Sequence, residues 1–232
     1  MAKTKRRKRQ PVQKKSNTLP FVIAGAVVVV LIGALIIYNQ SASKPVATDI
    51  VVDYPTGVTA DGEPFKGGAD AQVVIEDFSD FRCSHCATFA DTVHSISDEY
   101  IKTGNVKLIF RNYAFLGQGS TNAAQAGECA LQQSAEAFWA YHDALFANQG
   151  KGENVFTRAG LKDVAEQIGL DGDAFSSCLN SNQMAAEVQA DLIDGNAKGV
   201  ESTPTLFING QIVRGAPTPA DLKSTLDTLL GQ

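Results

Sequence analysis

Two cysteines separated by two residues, Cys83 and Cys86, constrain the fold of this 232-residue chain more than any other feature. They follow the apolar run Val73-Val74-Ile75, which is typical of a short buried strand, and they open a stretch with helical spacing of apolar residues. Two thiols so placed can close and reopen a small disulfide ring at the junction of a strand and a helix. The sequence therefore predicts an α/β fold in which this junction carries thiol–disulfide chemistry.

Acidic and basic residues are distributed unevenly along the chain. Eight of the 20 basic residues and none of the 25 acidic ones precede residue 39, and the formal net charge is -5. The part that follows is strongly acidic and would repel nucleic acid, so no nucleic-acid partner is expected. We interpret residues 1–18 as a basic cytoplasmic head that sets membrane topology, because an uncharged apolar segment follows directly.

Residues 19–38 form that uncharged segment. Twenty residues of helix span about 30 Å, the thickness of a bilayer hydrocarbon core, and Pro20 falls in the first turn, where proline is tolerated. The preceding basic residues predict a single-pass anchor in the cell membrane, with a cytoplasmic N-terminus and an extracytoplasmic catalytic domain. A cleaved signal peptide, with Ser41-Ala42-Ser43 at the cleavage site, is the competing interpretation.

After the anchor, residues 39–68 are rich in Ser, Lys, Pro, Thr and Gly and are predicted to be a linker, with an edge strand at Ile50-Val51-Val52. Residues 69–232 are predicted to form the compact domain. Its elements are a strand, a helix, a strand, a helical block of four or five helices at about 118–198, two strands joined by Asn209-Gly210, and a final helix. The predicted bounds are Gln72–Phe78, Ser84–Lys102, Val106–Phe110, Glu136–Ala147, Leu161–Ile168, Met184–Ala197, Thr205–Ile208, Gln211–Arg214 and Thr218–Leu230.

Two segments of the chain resemble a known family. The first runs from Val73 to Cys86, and the second, Ser202–Gly210, contains Thr203-Pro204 just before the hairpin. With the order of elements, they resemble the DsbA family of extracytoplasmic disulfide oxidoreductases, in its membrane-tethered bacterial form, over about residues 65–230. The resemblance implies a thioredoxin fold with an inserted α-helical domain. One position departs from the family pattern, since Ser84 stands where the family usually has proline.

Cys83 is the candidate nucleophile. A helix N-terminus presents unpaired N–H groups and a partial positive charge, which favour a thiolate over a thiol, and cysteines in this position have lowered pKa values. His85 lies in the same first turn and can donate a hydrogen bond or add positive charge beside the sulfur. Cys86, one turn deeper, is predicted to be the shielded resolving thiol. A structural disulfide or half of a zinc site is the alternative for this pair.

Asp77 lies six residues before Cys83, where relatives with this fold hold a buried acid beneath the thiols. The resemblance therefore implies that its carboxylate exchanges a proton with Cys86. Glu76 is the rival and points to the opposite face of the strand, and a solvated acid at the strand edge is the alternative for either one. Thr203-Pro204 resembles the cis-proline loop that faces the cysteine pair in this fold, where the backbone of Thr203 binds an extended substrate strand.

Cys129 and Cys178 lie 49 residues apart within the helical block. Outside the cytoplasm, two such cysteines more often form a bridge than stay free, and similar bridges occur in tethered relatives of the DsbA family. We therefore predict a structural disulfide between them. A second redox pair and two buried reduced thiols are the alternatives.

These features predict a membrane-anchored protein disulfide oxidase that introduces disulfides into exported polypeptides through Cys83 and Cys86. A reductase or isomerase of the same fold is one alternative. A metal-binding module or metallochaperone using Cys83, Cys86 and His85 is another, but such sites usually recruit more ligands, and no metal site is predicted. No cofactor is expected, since the thiols are the redox centre. The resemblance implies reduced exported polypeptides as substrates and a quinone-linked membrane protein of the DsbB or VKOR-like type as reoxidant.

Overall fold

The structure is a computed structural model that describes residues 52–232. The predicted basic head at residues 1–18 and the predicted membrane anchor at residues 19–38 lie outside the described residues, as does the first part of the predicted linker. Between residues 52 and 232, no helix combines the length and the apolar character needed to cross a bilayer.

The described residues form one six-stranded sheet and seven α-helices. Strands β1–β6 are Thr56–Val58, Pro64–Gly67, Val73–Ser79, Val106–Asn112, Thr205–Ile208 and Gln211–Arg214. Helices α1–α7 are Ser84–Tyr100, Gln118–Leu131, Ala135–Asn148, Arg158–Gln167, Gly172–Ser181, Ala185–Ala197 and Pro219–Leu230. Two 3-10 turns, Gln149–Lys151 and Glu153–Phe156, connect α3 to α4.

The sheet places β3 at its centre. The strand order is β1-β2-β4-β3-β5-β6, with β3 and β4 parallel and all other neighbours antiparallel. The right-handed crossover expected for two parallel strands needs a long connection, and α1 supplies it between β3 and β4. Asp77 on β3 lies opposite Phe110 on β4 and Leu206 on β5. The carboxyl end of this buried central strand leads directly into the cysteine pair.

The strands and helices predicted within residues 69–232 are present, most with ends displaced by one to three residues. The predicted hairpin strands match β5 and β6 in both bounds. The final helix begins as predicted, because the Thr218 side chain accepts a hydrogen bond from the Asp221 N–H and Pro219 occupies the first turn. Helices α2–α6 fill the block predicted to be helical, so the chain has an α/β fold with a helical insertion.

The second half of the predicted linker is part of the sheet, which corrects the linker bounds of residues 39–68. Strands β1 and β2 lie in this segment, and β2 pairs with β4. All four residues of β2 are buried, including Phe65 and Lys66. The composition suggested a tether because the segment lacks an alternating apolar pattern. The first strand of the described residues is Thr56–Val58, and the edge strand predicted at Ile50-Val51-Val52 has its first two residues outside the described range.

The core joins the sheet to the helices on both sides. Helix α1 buries one stripe of side chains at helical spacing against the sheet. A group of packed aromatic rings connects β4 and the segment before Cys83 to helix α3, and its members are Phe81, Phe110, Phe138, Trp139, His142 and Phe146. On the opposite face, Gly195 of α6 approaches Tyr113 and Phe78 so closely that an added Cβ would lie 2.7 Å from the Tyr113 ring. The helical insertion is therefore packed directly on the strands that carry the cysteine pair.

Candidate active site

The cysteine pair lies at the N-terminus of α1. Cys83 is the N-cap residue, and the backbone N–H groups of Cys86 and Ala87 donate to its carbonyl oxygen at 3.1 and 3.2 Å. Both cysteines are free thiols: Cys83 is partly exposed, whereas Cys86 is only 1% exposed. An incoming molecule can therefore reach the sulfur of Cys83 and not that of Cys86.

The two thiols have opposite acidities. The pKa of Cys83 is lowered from 9.0 to about 5, chiefly by a hydrogen bond from the Cys86 thiol and further by the backbone N–H groups of Cys86 and His85. No acidic residue lies in the first turn of α1 to oppose this effect. Burial raises the pKa of Cys86, as do the hydrogen bond to Cys83 and the negative charge of Asp77. At neutral pH, the accessible sulfur is the ionised one.

His85 contributes through its backbone. Its imidazole is exposed, and within residues 52–232 it makes no side-chain hydrogen bond. The sequence suggested that this ring donates to the sulfur of Cys83 or adds positive charge beside it, and that role stays a prediction. In the structure, the His85 N–H is among the groups that lower the pKa of the Cys83 thiol.

Asp77 is a buried acid on β3, with 4% of its surface exposed. Its Oδ1 atom accepts a hydrogen bond from Ser79 Oγ at 2.5 Å. Burial, helped by the charge of Cys83, raises the pKa of Asp77 to about 7 against the lowering effects of the Ser79 hydrogen bond and the charge of Lys66. The rival Glu76 is partly exposed and lies 2.9 Å from Lys198 Nζ. Of the two acids, only Asp77 interacts with the thiols.

Lys66 is a charged group near the site that sequence reasoning missed. It is 5% exposed, and its Nζ atom lies 4.4 Å from the centre of the Trp139 ring and 4.0 Å from Asp143 Oδ1. Burial lowers the pKa of this amine, and the charges of Asp143 and Asp77 act in the opposite direction. In the sequence, Lys66 is a single lysine in a segment with the composition of a linker, so the burial of its side chain could not be predicted.

The loop before β5 faces the cysteine pair. The peptide bond between Thr203 and Pro204 is cis, as the resemblance implies. Cys83 Sγ lies 3.4 Å from the carbonyl oxygen of Thr203 and can donate to it only in the thiol form, and Thr203 is 8% exposed. A backbone that lies this close to the accessible sulfur is placed to contact whatever polypeptide is joined to it.

Cys129 and Cys178 are joined by a disulfide, the pairing that the sequence predicts. The two Cα atoms are 5.7 Å apart, and the residues are 1% and 5% exposed. The bridge links α2 to α5 inside the helical insertion. The metal-binding alternative would require further ligands near Cys83 and Cys86, and in the described part of the chain no group of three or more His, Cys, Asp or Glu side chains is arranged to hold a metal ion.

A thioredoxin-like sheet that carries an accessible thiol of low pKa, a buried second thiol and a cis-proline loop defines the class of thiol–disulfide oxidoreductases. The profile of a family described as Thioredoxin matches residues 59–228. The chain belongs to this thioredoxin family, and it is an enzyme of the thiol–disulfide oxidoreductase type.

Named relatives agree with this assignment. The chain is 29% identical over 169 residues to disulfide bond formation protein D of Bacillus subtilis (72% of this chain and 76% of the relative). It is 30% identical over 165 residues to the probable disulfide bond formation protein D of Bacillus cereus (69% and 76%). The crystal structure of oxidised BdbD from Bacillus subtilis is similar, with a TM-score of 0.69, 28% identity and coverage of 78% of this chain and all of the other.

Proposed function

We propose that this protein is an oxidase that introduces disulfides into exported polypeptides. The observation that carries the proposal is the lowered pKa of Cys83 at the N-terminus of α1. A protein that stabilises the thiolate stabilises its own reduced form, so its disulfide is a stronger oxidant. The names of the relatives, disulfide bond formation protein D, support the same direction. A reductase or isomerase of the same fold is the competing function.

The proposed reaction uses each thiol once. A thiolate of the substrate attacks the Cys83 sulfur of the Cys83–Cys86 disulfide, the bond between the two cysteines breaks, and its electron pair goes to Cys86. The second thiolate of the substrate then attacks the substrate sulfur of the mixed disulfide and releases Cys83 as a thiolate. The substrate leaves with a disulfide, and the enzyme is left as a dithiol, two electrons reduced.

The neighbouring residues suit this sequence of steps. Cys86 leaves as a thiolate and has a raised pKa, so it needs a proton, and the buried carboxyl of Asp77 can supply one because burial raises its pKa to about 7. The backbone of Thr203 is within hydrogen-bonding distance of Cys83 and is placed to align an extended substrate strand. The reaction needs no bound cofactor.

Equilibration of the full-length protein with glutathione buffers tests the proposed direction. The fractions of dithiol and disulfide are quantified after acid quenching and thiol alkylation. An oxidase should have a potential near about -120 mV, and a thioredoxin-type reductant one near about -270 mV. A value near the second figure would contradict the proposal and favour the reductase.

Single-cysteine variants test the assignment of the two thiols. We expect Cys83→Ser to lose the ability to oxidise a reduced test protein. Cys86→Ser should instead form a persistent mixed disulfide with the oxidised form of that protein, because Cys83 attacks its disulfide and no Cys86 thiol remains to displace the bound chain. A Cys83→Ser variant that still oxidised the test protein would contradict the nucleophile assignment.

We further propose that residues 19–38 anchor the enzyme in the cell membrane, with residues 39–232 on the extracytoplasmic side. A membrane-impermeant maleimide added to intact spheroplasts should then label Cys83 of the reduced enzyme, and a Cys83→Ser chain should lose this label. Labelling that appears only after lysis would contradict the orientation. On the extracytoplasmic side, the substrates would be reduced exported polypeptides, and a quinone-linked membrane protein of the DsbB or VKOR-like type would restore the disulfide.

A further inference from the structure

Asp80 is a buried acid beside the cysteine pair, and it has no role in the chemistry described so far. It is 1% exposed, and backbone N–H groups from two segments donate to its carboxylate. Oδ1 accepts from the Arg82 N–H at 2.9 Å, and Oδ2 accepts from the Phe115 and Leu116 N–H groups at 3.0 and 3.2 Å. The side chain therefore ties the turn before Cys83 to the loop that follows β4.

The backbone of the same residue contacts both cysteines. Its carbonyl oxygen accepts a hydrogen bond from the Cys83 N–H at 2.9 Å. Its own N–H donates to the Cys86 sulfur, with a nitrogen–sulfur distance of 3.5 Å. Cys86 is almost completely buried, so water cannot replace this donor. A buried anion without a donor is strongly disfavoured.

We propose that the Asp80 side chain is a positioning residue for the exchange reaction, because it holds the Asp80 N–H against the sulfur of Cys86. When an incoming thiolate forms a bond to Cys83, the bond between Cys83 and Cys86 breaks, and the electron pair remains on Cys86. The Asp80 N–H stabilises this sulfur as negative charge develops. The inference rests on thiol–disulfide exchange at this site and is independent of whether the enzyme acts as an oxidase or a reductase.

The requirement for a carboxylate follows from the number and placement of the donors. Both oxygens of Asp80 accept N–H bonds, one from Arg82 and the other from Phe115 and Leu116. An asparagine offers one oxygen and one NH₂ group, so one set of N–H donors would face another donor. Asp80→Asn should therefore detach either the turn at Arg82 or the loop at Phe115 and Leu116. In either case, the peptide group of Asp80 loses its fixed orientation toward Cys86.

The experiment measures opening of the Cys83–Cys86 disulfide by glutathione in the full-length protein. Asp80→Asn should slow the formation of the glutathione mixed disulfide about tenfold, the cost of one hydrogen bond to a charged group. The reverse step, attack of Cys86 on that mixed disulfide, should slow by a similar factor. Asp70→Asn is the matched control, since Asp70 is exposed and precedes the same strand, and it should leave both rates unchanged.

A double-mutant cycle separates this role from a general loosening of the loop. In a Cys86→Ala background, Cys83 is first converted to its mixed disulfide with glutathione. A second glutathione thiolate then attacks that disulfide and releases Cys83, without any participation of Cys86. Asp80→Asn should not change that rate. An equal slowing in the presence and absence of Cys86, or no slowing in its presence, would overturn the proposal.

A measurement on the unsubstituted protein keeps the proposal open to refutation if Asp80→Asn does not fold. The amide proton resonance of Asp80 should move downfield when the dithiol replaces the disulfide, because the N–H then faces a more electron-rich sulfur, whereas the Asp70 amide should not move. An Asp80 resonance that is the same in both redox states would overturn the inference. Neither readout depends on the reduction potential that tests the proposed function.

Discussion

The carboxyl of Asp77 lies beneath the two thiols and titrates near neutral pH because burial raises its pKa to about 7. As a base, it accepts a proton from Cys86 only in its ionised form. We therefore expect the rate at which Cys86 closes on a glutathione mixed disulfide to rise with pH through about 7. Asp77→Asn should remove this rise and lower the rate about a hundredfold at pH 8, the range of general-base catalysis. Rapid acid quenching with mass spectrometry measures the rate.

Glu76→Gln is the control for that experiment, since Glu76 is adjacent in sequence but pairs with Lys198 on the other face of β3. It should retain the pH profile of the unsubstituted protein. An Asp77→Asn protein with the same pH dependence as the parent would exclude Asp77 as the proton acceptor.

The charge of Lys66 contributes to the pH at which that titration occurs. This amine lowers the pKa of Asp77, so its removal should raise that pKa and move the midpoint of the pH profile in the alkaline direction. Lys66→Met retains much of the side-chain volume beside Trp139 and removes the charge. Lys107→Met, on the adjacent strand, serves as the control because the charge of Lys107 does not act on Asp77. A midpoint that stayed in place in Lys66→Met would show that Lys66 is uncharged when Asp77 titrates.

Individual residues of the site differ in how far the sequence could predict them. The positions of Cys83 and Cys86 at the junction of a strand and a helix follow from local spacing, whereas Asp77 was singled out through the family resemblance. The roles of Lys66 and Asp80 depend on contacts with residues distant in sequence, such as Trp139 and the loop after β4. Nothing in their immediate neighbours signals that they are buried.

At the level of elements, apolar periodicity and turn residues were sufficient to predict the strands after residue 69 and the helices for which bounds were given. Strands β1 and β2 were not predicted, because three- and four-residue strands with glycine and proline carry no periodic signal. β2 forms because β4 offers it a partner and it becomes buried there, and β1 pairs in turn with β2. The helical insertion was predicted as a block, but its packing on β4 was not.

A cluster of buried charges joins that insertion to the sheet. Arg111 of β4 lies 3.0 Å from Glu63 and 3.6 Å from Asp191 of α6. The neighbouring Asn112 donates two hydrogen bonds to acids of the cluster. Its backbone N–H donates to Asp191 Oδ2 at 2.8 Å, and its side chain donates to Glu128 Oε1 of α2 at 2.7 Å. Glu63 and Asp191 thus contact the same arginine, Glu128 is joined to them through Asn112, and burial raises the pKa of each of the three acids.

This cluster should make stability depend on pH. Burial raises the pKa of Glu128 to about 8 from its usual 4.5, so the folded chain binds more protons than the unfolded chain between these values. The free energy of unfolding should therefore fall as pH rises across this window. Glu128→Gln, which can still accept from Asn112, should reduce the fall and be about 2 kcal/mol more stable than the parent at pH 8.

Urea unfolding at pH 4.5 and pH 8 measures this difference. Glu201→Gln is the control, because Glu201 is exposed and is not among the charges that raise the pKa of Glu128, and it should follow the parent at both pH values. Parallel pH dependences of the parent and Glu128→Gln would mean that Glu128 is ionised in the folded protein.

At the scale of the whole described molecule, the two cysteine pairs occupy different environments. Cys83 is accessible and lies at a helix N-terminus, which lowers its pKa, whereas Cys129 and Cys178 are buried between α2 and α5. Reactivity in exchange requires an accessible thiolate or an accessible disulfide sulfur. We therefore expect Cys83 and Cys86 to be the reacting pair and the Cys129–Cys178 disulfide to be a structural cross-link of the insertion.

The double variant Cys129→Ala/Cys178→Ala tests that division. Loss of a cross-link that closes a loop of this length should lower the free energy of unfolding by about 4 kcal/mol, and the melting temperature by about 10 °C. The glutathione equilibrium of Cys83 and Cys86 should stay where it is in the parent, because the bridge contributes no electrons to the reaction. The melting curve and the redox titration are recorded on the same preparation. Loss of a structural cross-link changes the free energy of unfolding, whereas loss of an electron relay changes the redox equilibrium of Cys83 and Cys86. Retained stability with a displaced redox equilibrium would therefore identify Cys129 and Cys178 as a second redox pair.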